Sequence, residues 1–98
     1  SAMQEVAPKM AEIAADVLFG DIWERPGLSK RDRSMITVAV LQALYRTGQL
    51  SGHIGRALDN GVTKEEIGEI ITHVGFYAGV PTAANIAGIA KAVYDERR

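Results

Sequence analysis

The stretch from Ser29 to Asn60, SKRDRSMITVAVLQALYRTGQLSGHIGRALDN, constrains the fold more than any other. Its middle carries Met35, Ile36, Val38, Ala39, Val40, Leu41, Ala43 and Leu44, which leaves a helix few polar faces. A helix that is apolar nearly all round is buried on most sides. A chain of 98 residues is small for surrounding such a helix completely. A further copy of the chain is therefore expected to cover part of it.

That length predicts one domain over residues 1–98, with residues 1–3 read partly as a tag remnant because Ser1-Ala2 precedes Met3. Eleven Lys and Arg against twelve Asp and Glu give a formal net charge of −1. Nucleic-acid and anionic-membrane partners usually need a basic surface, so neither is expected. The absence of cysteine removes disulfides, thiolate metal ligands and thiol redox chemistry, and fits a cytoplasmic protein. Charged residues interrupt every apolar run before it could span a bilayer.

Periodicity predicts five helices and an all-α domain. Val6, Met10, Ile13, Ala14, Val17 and Leu18 recur at helical steps from about Gln4 to Phe19, with Pro8 in the first turn and Gly20 at the end. Asp21 to Gly27, DIWERPG, reads as a loop. Ser29 is placed to cap the central helix, which runs to about Arg46 before Thr47-Gly48 breaks it. A short helix spans about Gln49 to Asp59, and Asn60-Gly61 stops it. Thr63 to Glu66 is a capping box opening the next helix, with an inner stripe of Ile67, Ile70, Ile71, Val74 and Ala78. Pro81 suits the first turn of the last helix, which carries Ala83, Ala84, Ala87, Gly88 and Ala90.

His53 leans toward the apolar stripe Leu50, Ile54, Ala57 and Leu58. It reads either as a core histidine with a satisfied partner or as a general acid or base titrating near neutrality. His73 borders its own helix's stripe. The two histidines lie on different helices without ligand spacing, so no metal site and no cofactor is expected. Arg33 sits near the buried side of the central helix, where a guanidinium could clamp a carboxylate in a bidentate way. Trp23 is either a loop anchor or a pocket wall. Tyr77 is either a half-buried packing residue or a pocket donor.

The pieces RPGLS (Arg25 to Ser29), RDRS (Arg31 to Ser34), His53…Ala57-Leu58…Asn60-Gly61 and FYAGVP (Phe76 to Pro81) together resemble the carboxymuconolactone decarboxylase family. The resemblance runs from about Leu18 to the C-terminus. The same alkylhydroperoxidase-like superfamily contains peroxidases with a CxxCxxxH motif. Aligning His53 with that histidine puts Arg46 and Gln49 at the two cysteine positions, so thiol peroxidase chemistry is excluded. The resemblance implies an all-helical fold assembled as a homotrimer or homohexamer. It also implies cofactor-free decarboxylation of a carboxylated lactone, in the manner of aromatic degradation. His53 would then transfer the proton and Arg33 would hold the carboxylate or oxyanion, with Trp23 and Tyr77 as pocket walls. The competing expectation is an oligomeric small-molecule-binding or scaffold domain that keeps this fold without the reaction.

Overall fold

The computed structural model describes residues 1–97 and is all-α, with no strand among the described residues. It divides into two compact units, Ser1–Lys30 and the remainder from Arg31.

In the first unit the expected single helix is broken. α1 (Ala2–Val6) is closed by a capping box in which Ser1 Oγ accepts from the Gln4 amide at 3.3 Å and Gln4 Oε1 accepts from the Ser1 amine at 3.0 Å. α2 (Pro8–Ile13) follows after Ala7, whose φ of −136° and ψ of 65° lie outside the helical region. The proline explains the break, because its ring disfavours helical geometry in the preceding residue. Pro8 is in a first turn as expected, but of a new helix. The chain continues from α2 as a π-helical stretch, Ala14–Phe19, up to Gly20. A Cβ at position 20 would lie 2.6 Å from the Asp16 carbonyl oxygen, so this position needs glycine. The DIWERPG segment contains a single 3₁₀ turn, Ile22–Glu24. Trp23 in that turn is 8% exposed and stacks on Phe19 with ring centroids 6.4 Å apart.

The second unit carries α3 (Lys30–Ala43) from its second residue on, α4 (Thr47–Asp59), α5 (Lys64–Ala78) and α6 (Val80–Glu96). Val38 and Leu41 of α3, Leu50, Ile54 and Ala57 of α4, Ile67 and Ile71 of α5, and Ile86, Ala90 and Val93 of α6 form one core. Burying each large aliphatic side chain is worth about 1.5–3 kcal/mol, and this apolar term is what drives the packing. α5 and α6 approach closely at Gly75, where an added Cβ would lie 2.9 Å from the Ala83 Cβ.

Polar groups fix the register of these helices. Asn60 Nδ2 donates to Ser34 Oγ at 3.0 Å, joining the end of α4 to the start of α3. The fully buried Gln42 donates from Nε2 to the Ile71 carbonyl at 3.1 Å, tying α3 to α5. Arg31 also pairs with Glu66 between those two helices. The capping box on α5 is present, with the Glu66 amide donating to Thr63 Oγ1 at 3.1 Å and the Thr63 amide to Glu66 Oε1 at 3.0 Å.

α3 ends earlier than the sequence suggests, and the break falls at Tyr45 rather than at Thr47-Gly48. Tyr45 has a φ of 58°, the Arg46 amide donates to the Leu41 carbonyl at 2.8 Å, and the Tyr45 amide donates to the Gln42 carbonyl at 3.0 Å. This is a Schellman closure with a tyrosine in the left-handed position that glycine usually takes. α4 ends in the same way, with Gly61 at φ 95° and Val62 donating to the Ala57 carbonyl at 2.9 Å. There the expected glycine stop is in place.

Val38 and Leu41 of α3 face the core. On its other side Ile36, Val40 and Leu44 are 50%, 47% and 59% exposed. One chain therefore covers only one flank of the apolar central helix.

Candidate functional site

α4 positions the site. Leu50, Ile54 and Ala57 anchor its inner face in the core. Gln49, His53 and Arg56 form the adjoining stripe at steps of four and three residues, so they project along one line beside that anchored face. Together with Gly48 and Gly52 they line a cavity of about 310 Å³. The two glycines contribute no side chains, which leaves the space between the larger residues open.

His53 is half-buried in this cavity. Burial, and secondarily the positive charge of Arg56, hold its imidazole below the ordinary value of 6.5. At neutral pH the ring is therefore mainly uncharged and has both a donor and an acceptor nitrogen. The influence of Arg56 follows from its place one turn along the helix, within electrostatic reach of the ring. A second trough of about 440 Å³ lies alongside and shares Gly52 and Arg56. Its far side carries Asp59 and Arg97, which pair with each other, and Glu96.

The other expected site residues fall elsewhere. Arg33 is half-buried in the first turns of α3, and its carbonyl accepts from Thr37 Oγ1 at 2.8 Å. It is not among the residues lining the His53 cavity. The Asn60–Ser34 bond places the start of α3 beside the end of α4, and His53 lies about two turns, roughly 10 Å, back along α4 from Asn60. Tyr77 on α5 is 84% exposed and stacks on His73, with centroids 4.9 Å apart. His73 in turn borders an apolar groove of about 540 Å³ between α3 and α5, lined also by Met35, Ile36, Ala39, Ile70 and Val74. Trp23 stacks on Phe19. Among the described residues no three His, Asp or Glu side chains gather as metal ligands would. No helix among them is long and apolar enough to cross a membrane.

Arg56 is the residue lining the His53 cavity that sequence reading passed over. Its signal was its spacing, three residues after His53 on a helix, but its neighbours Gly55 and Ala57 gave no sign that the stripe bordered open space.

The family profile for carboxymuconolactone decarboxylases matches residues 8–92. The chain belongs to the carboxymuconolactone decarboxylase family. It is 41% identical over 78 residues to a 4-carboxymuconolactone decarboxylase of Acinetobacter baylyi, an alignment covering 80% of this chain and 58% of that protein. It is 34% identical over 71 residues to a nitrosuccinic acid decarboxylase of Metarhizium robertsii, covering 72% of this chain and 50% of that one. An uncharacterised 15.0 kDa protein of Paracoccus denitrificans is 30% identical over 97 residues, covering 97% of this chain and 72% of that protein. The chain thus spans about half the length of the two decarboxylases it matches. The all-α architecture agrees with membership of this family.

Proposed function

We propose that the chain is a cofactor-free carboxy-lyase acting on a carboxylated lactone of the 4-carboxymuconolactone type, or on a related small acid, within aromatic-degradation chemistry. The observation that carries this reading is the cavity on α4, where the half-buried His53 shares its walls with a guanidinium. The likeness to two decarboxylases supports it. In the reaction the bond from carbon to the departing carboxylate breaks. Its electron pair is delocalised onto the lactone oxygen, and carbon dioxide leaves. A cation or hydrogen-bond donor must stabilise that oxygen, and an acid must return a proton to carbon. His53 takes the proton-transfer role; Arg33, which lies outside this cavity within one chain, is the residue proposed as carboxylate or oxyanion partner.

The protein works in this reading as a homotrimer or homohexamer. The exposed flank of α3 formed by Ile36, Val40 and Leu44 supports association, because a half-covered apolar helix gains by burying its outer side. The test of function is release of carbon dioxide from 4-carboxymuconolactone by the wild type and by His53→Ala. The reading expects turnover in the first, and in the second a loss of about a hundredfold or more with the helical circular-dichroism spectrum intact. A wild type that neither converts nor binds lactone acids would leave the oligomeric binding or scaffold domain as the better description.

A further inference from the structure

We infer that the groove between α3 and α5 is closed by the same groove of a second copy. A two-fold axis crosses α5 at the level of Ile71 and sets Glu69 of each copy against His73 of the other. This rests on the self-association in the reading above and not on the reaction, and it adds the face, the symmetry and the paired residues. Three observations lead to it.

First, the groove of about 540 Å³ carries Met35, Ile36 and Ala39 of α3 and Ile70 and Val74 of α5. Apolar surface continues beyond it on both helices. Ile36 leads along α3 to the exposed Val40 and Leu44. His73 at the groove edge stacks on Tyr77, and Tyr77 and its neighbour Phe76 are 84% and 79% exposed. Apolar surface of this extent gains by being covered.

Second, the titratable groups on the α5 side of the groove are ordered. Glu66 and Glu69 stand toward the N-terminal end of the helix and His73 toward its C-terminal end. Glu66 is already paired with Arg31. Glu69 makes no ion pair, and His73 no hydrogen bond, among the described residues, and both are exposed. A face with an acid at one end and an imidazole at the other is complementary to itself under a two-fold axis, because residue i then meets j while j meets i.

Third, the spacing fits one register. Glu69 and His73 lie four residues apart, about 6 Å along the helix. In an antiparallel pair of α5 helices crossing at Ile71, positions equally far on either side of that residue come level. Glu69 of one copy is then level with His73 of the other, twice. Phe76 comes level with Glu66 in the same operation. There the Arg31 guanidinium, held by Glu66, is a cation over which an aromatic ring stacks well. One rotation thus matches charge, rings and apolar lining, and the occupant that supplies all three is the chain itself.

The test is the mass of the full chain by light scattering after size exclusion, at pH 6, where imidazoles are largely charged. The samples are the wild type, Glu69→Lys, His73→Glu and an equimolar mixture of the two variants. Either variant alone sets like charges against each other at both contacts, which interfaces tolerate poorly. Each is expected at about half the wild-type mass with unchanged helix content, since both positions are exposed. In the mixture the two substitutions sit in different copies, so both contacts join opposite charges again, and the wild-type mass is expected to return. A role confined within one chain cannot give this recovery. Wild-type mass in both single variants, or no recovery on mixing, overturns the inference. So does a wild type of single-copy mass, which would leave the face to another kind of partner. If the wild type is assembled and neither variant alters it, self-association stands and this face is wrong. If the masses behave as expected while no lactone acid is decarboxylated, the face stands and the reaction is wrong.

Discussion

His53 combines two properties that pull its chemistry in one direction. Burial and the nearby Arg56 charge favour the neutral ring, so the imidazolium form is scarce at neutral pH but a strong proton donor when present. If the imidazolium delivers the proton to carbon, kcat/KM should rise as pH falls through the folded-state value of His53, which lies below 6.5. A pH–rate profile checks this, and a profile that rises toward alkaline pH would assign His53 the role of base. The same shift affects stability. The unfolded chain holds the His53 proton at a pH where the native state has lost it. This contribution is therefore complete above about 6.5 and is lost as pH falls toward the native-state value. Urea midpoints measured while acidifying from neutrality should show this decline, and a His53→Gln variant should show less of it. Of these residues, the half-buried position of His53 was legible from its lean toward the core. The neighbourhood of Arg33 was not, because residues on separate helices are brought together by packing that spacing along one helix does not encode.

At the scale of the element, cap chemistry located helix ends where the capping residue was of the ordinary type. Thr63 with Glu66 and Asn60-Gly61 both mark their boundaries correctly. Ala7 and Tyr45 were missed for physical reasons. The first break comes from the effect of a proline on the residue before it. The second is a left-handed residue that carries a side chain, which local sequence does not favour. The hydroxyl of Tyr45 accepts from Asn85 Nδ2, a tertiary contact that helps hold the conformation and has no local signature. Two substitutions test the element scale in urea melts. Thr63→Ala removes the N-cap of α5 and should cost about 1 kcal/mol. Gly75→Ala forces a methyl against Ala83, where neither backbone can easily give way, and should cost about 1–3 kcal/mol.

For the whole molecule, the all-α class and the core helices of the second unit were readable because their apolar periodicity is strong. The core contains the expected Ile67, Ile71 and Ile54. The apolar character of the central helix divides into a packed flank and an open one, and only coordinates could assign Ile36, Val40 and Leu44 to the open flank. Val40→Asp would leave that flank charged without touching the core. Light scattering after size exclusion should then give a smaller species than the wild type, with helix content unchanged. Identical masses for the two would remove this flank from any assembly.

The closure at Tyr45 has a consequence for how far this protein can vary. It sets the rotational phase at which α4 leaves α3, and the Schellman turn at Gly61 sets the phase at the other end. One residue inserted between Leu44 and Thr47 would turn α4 by about 100° unless the extra residue looped out. Leu50 and Ile54 would then be turned out of the core. Insertions here are therefore expected to be far less tolerated than point changes at the same positions.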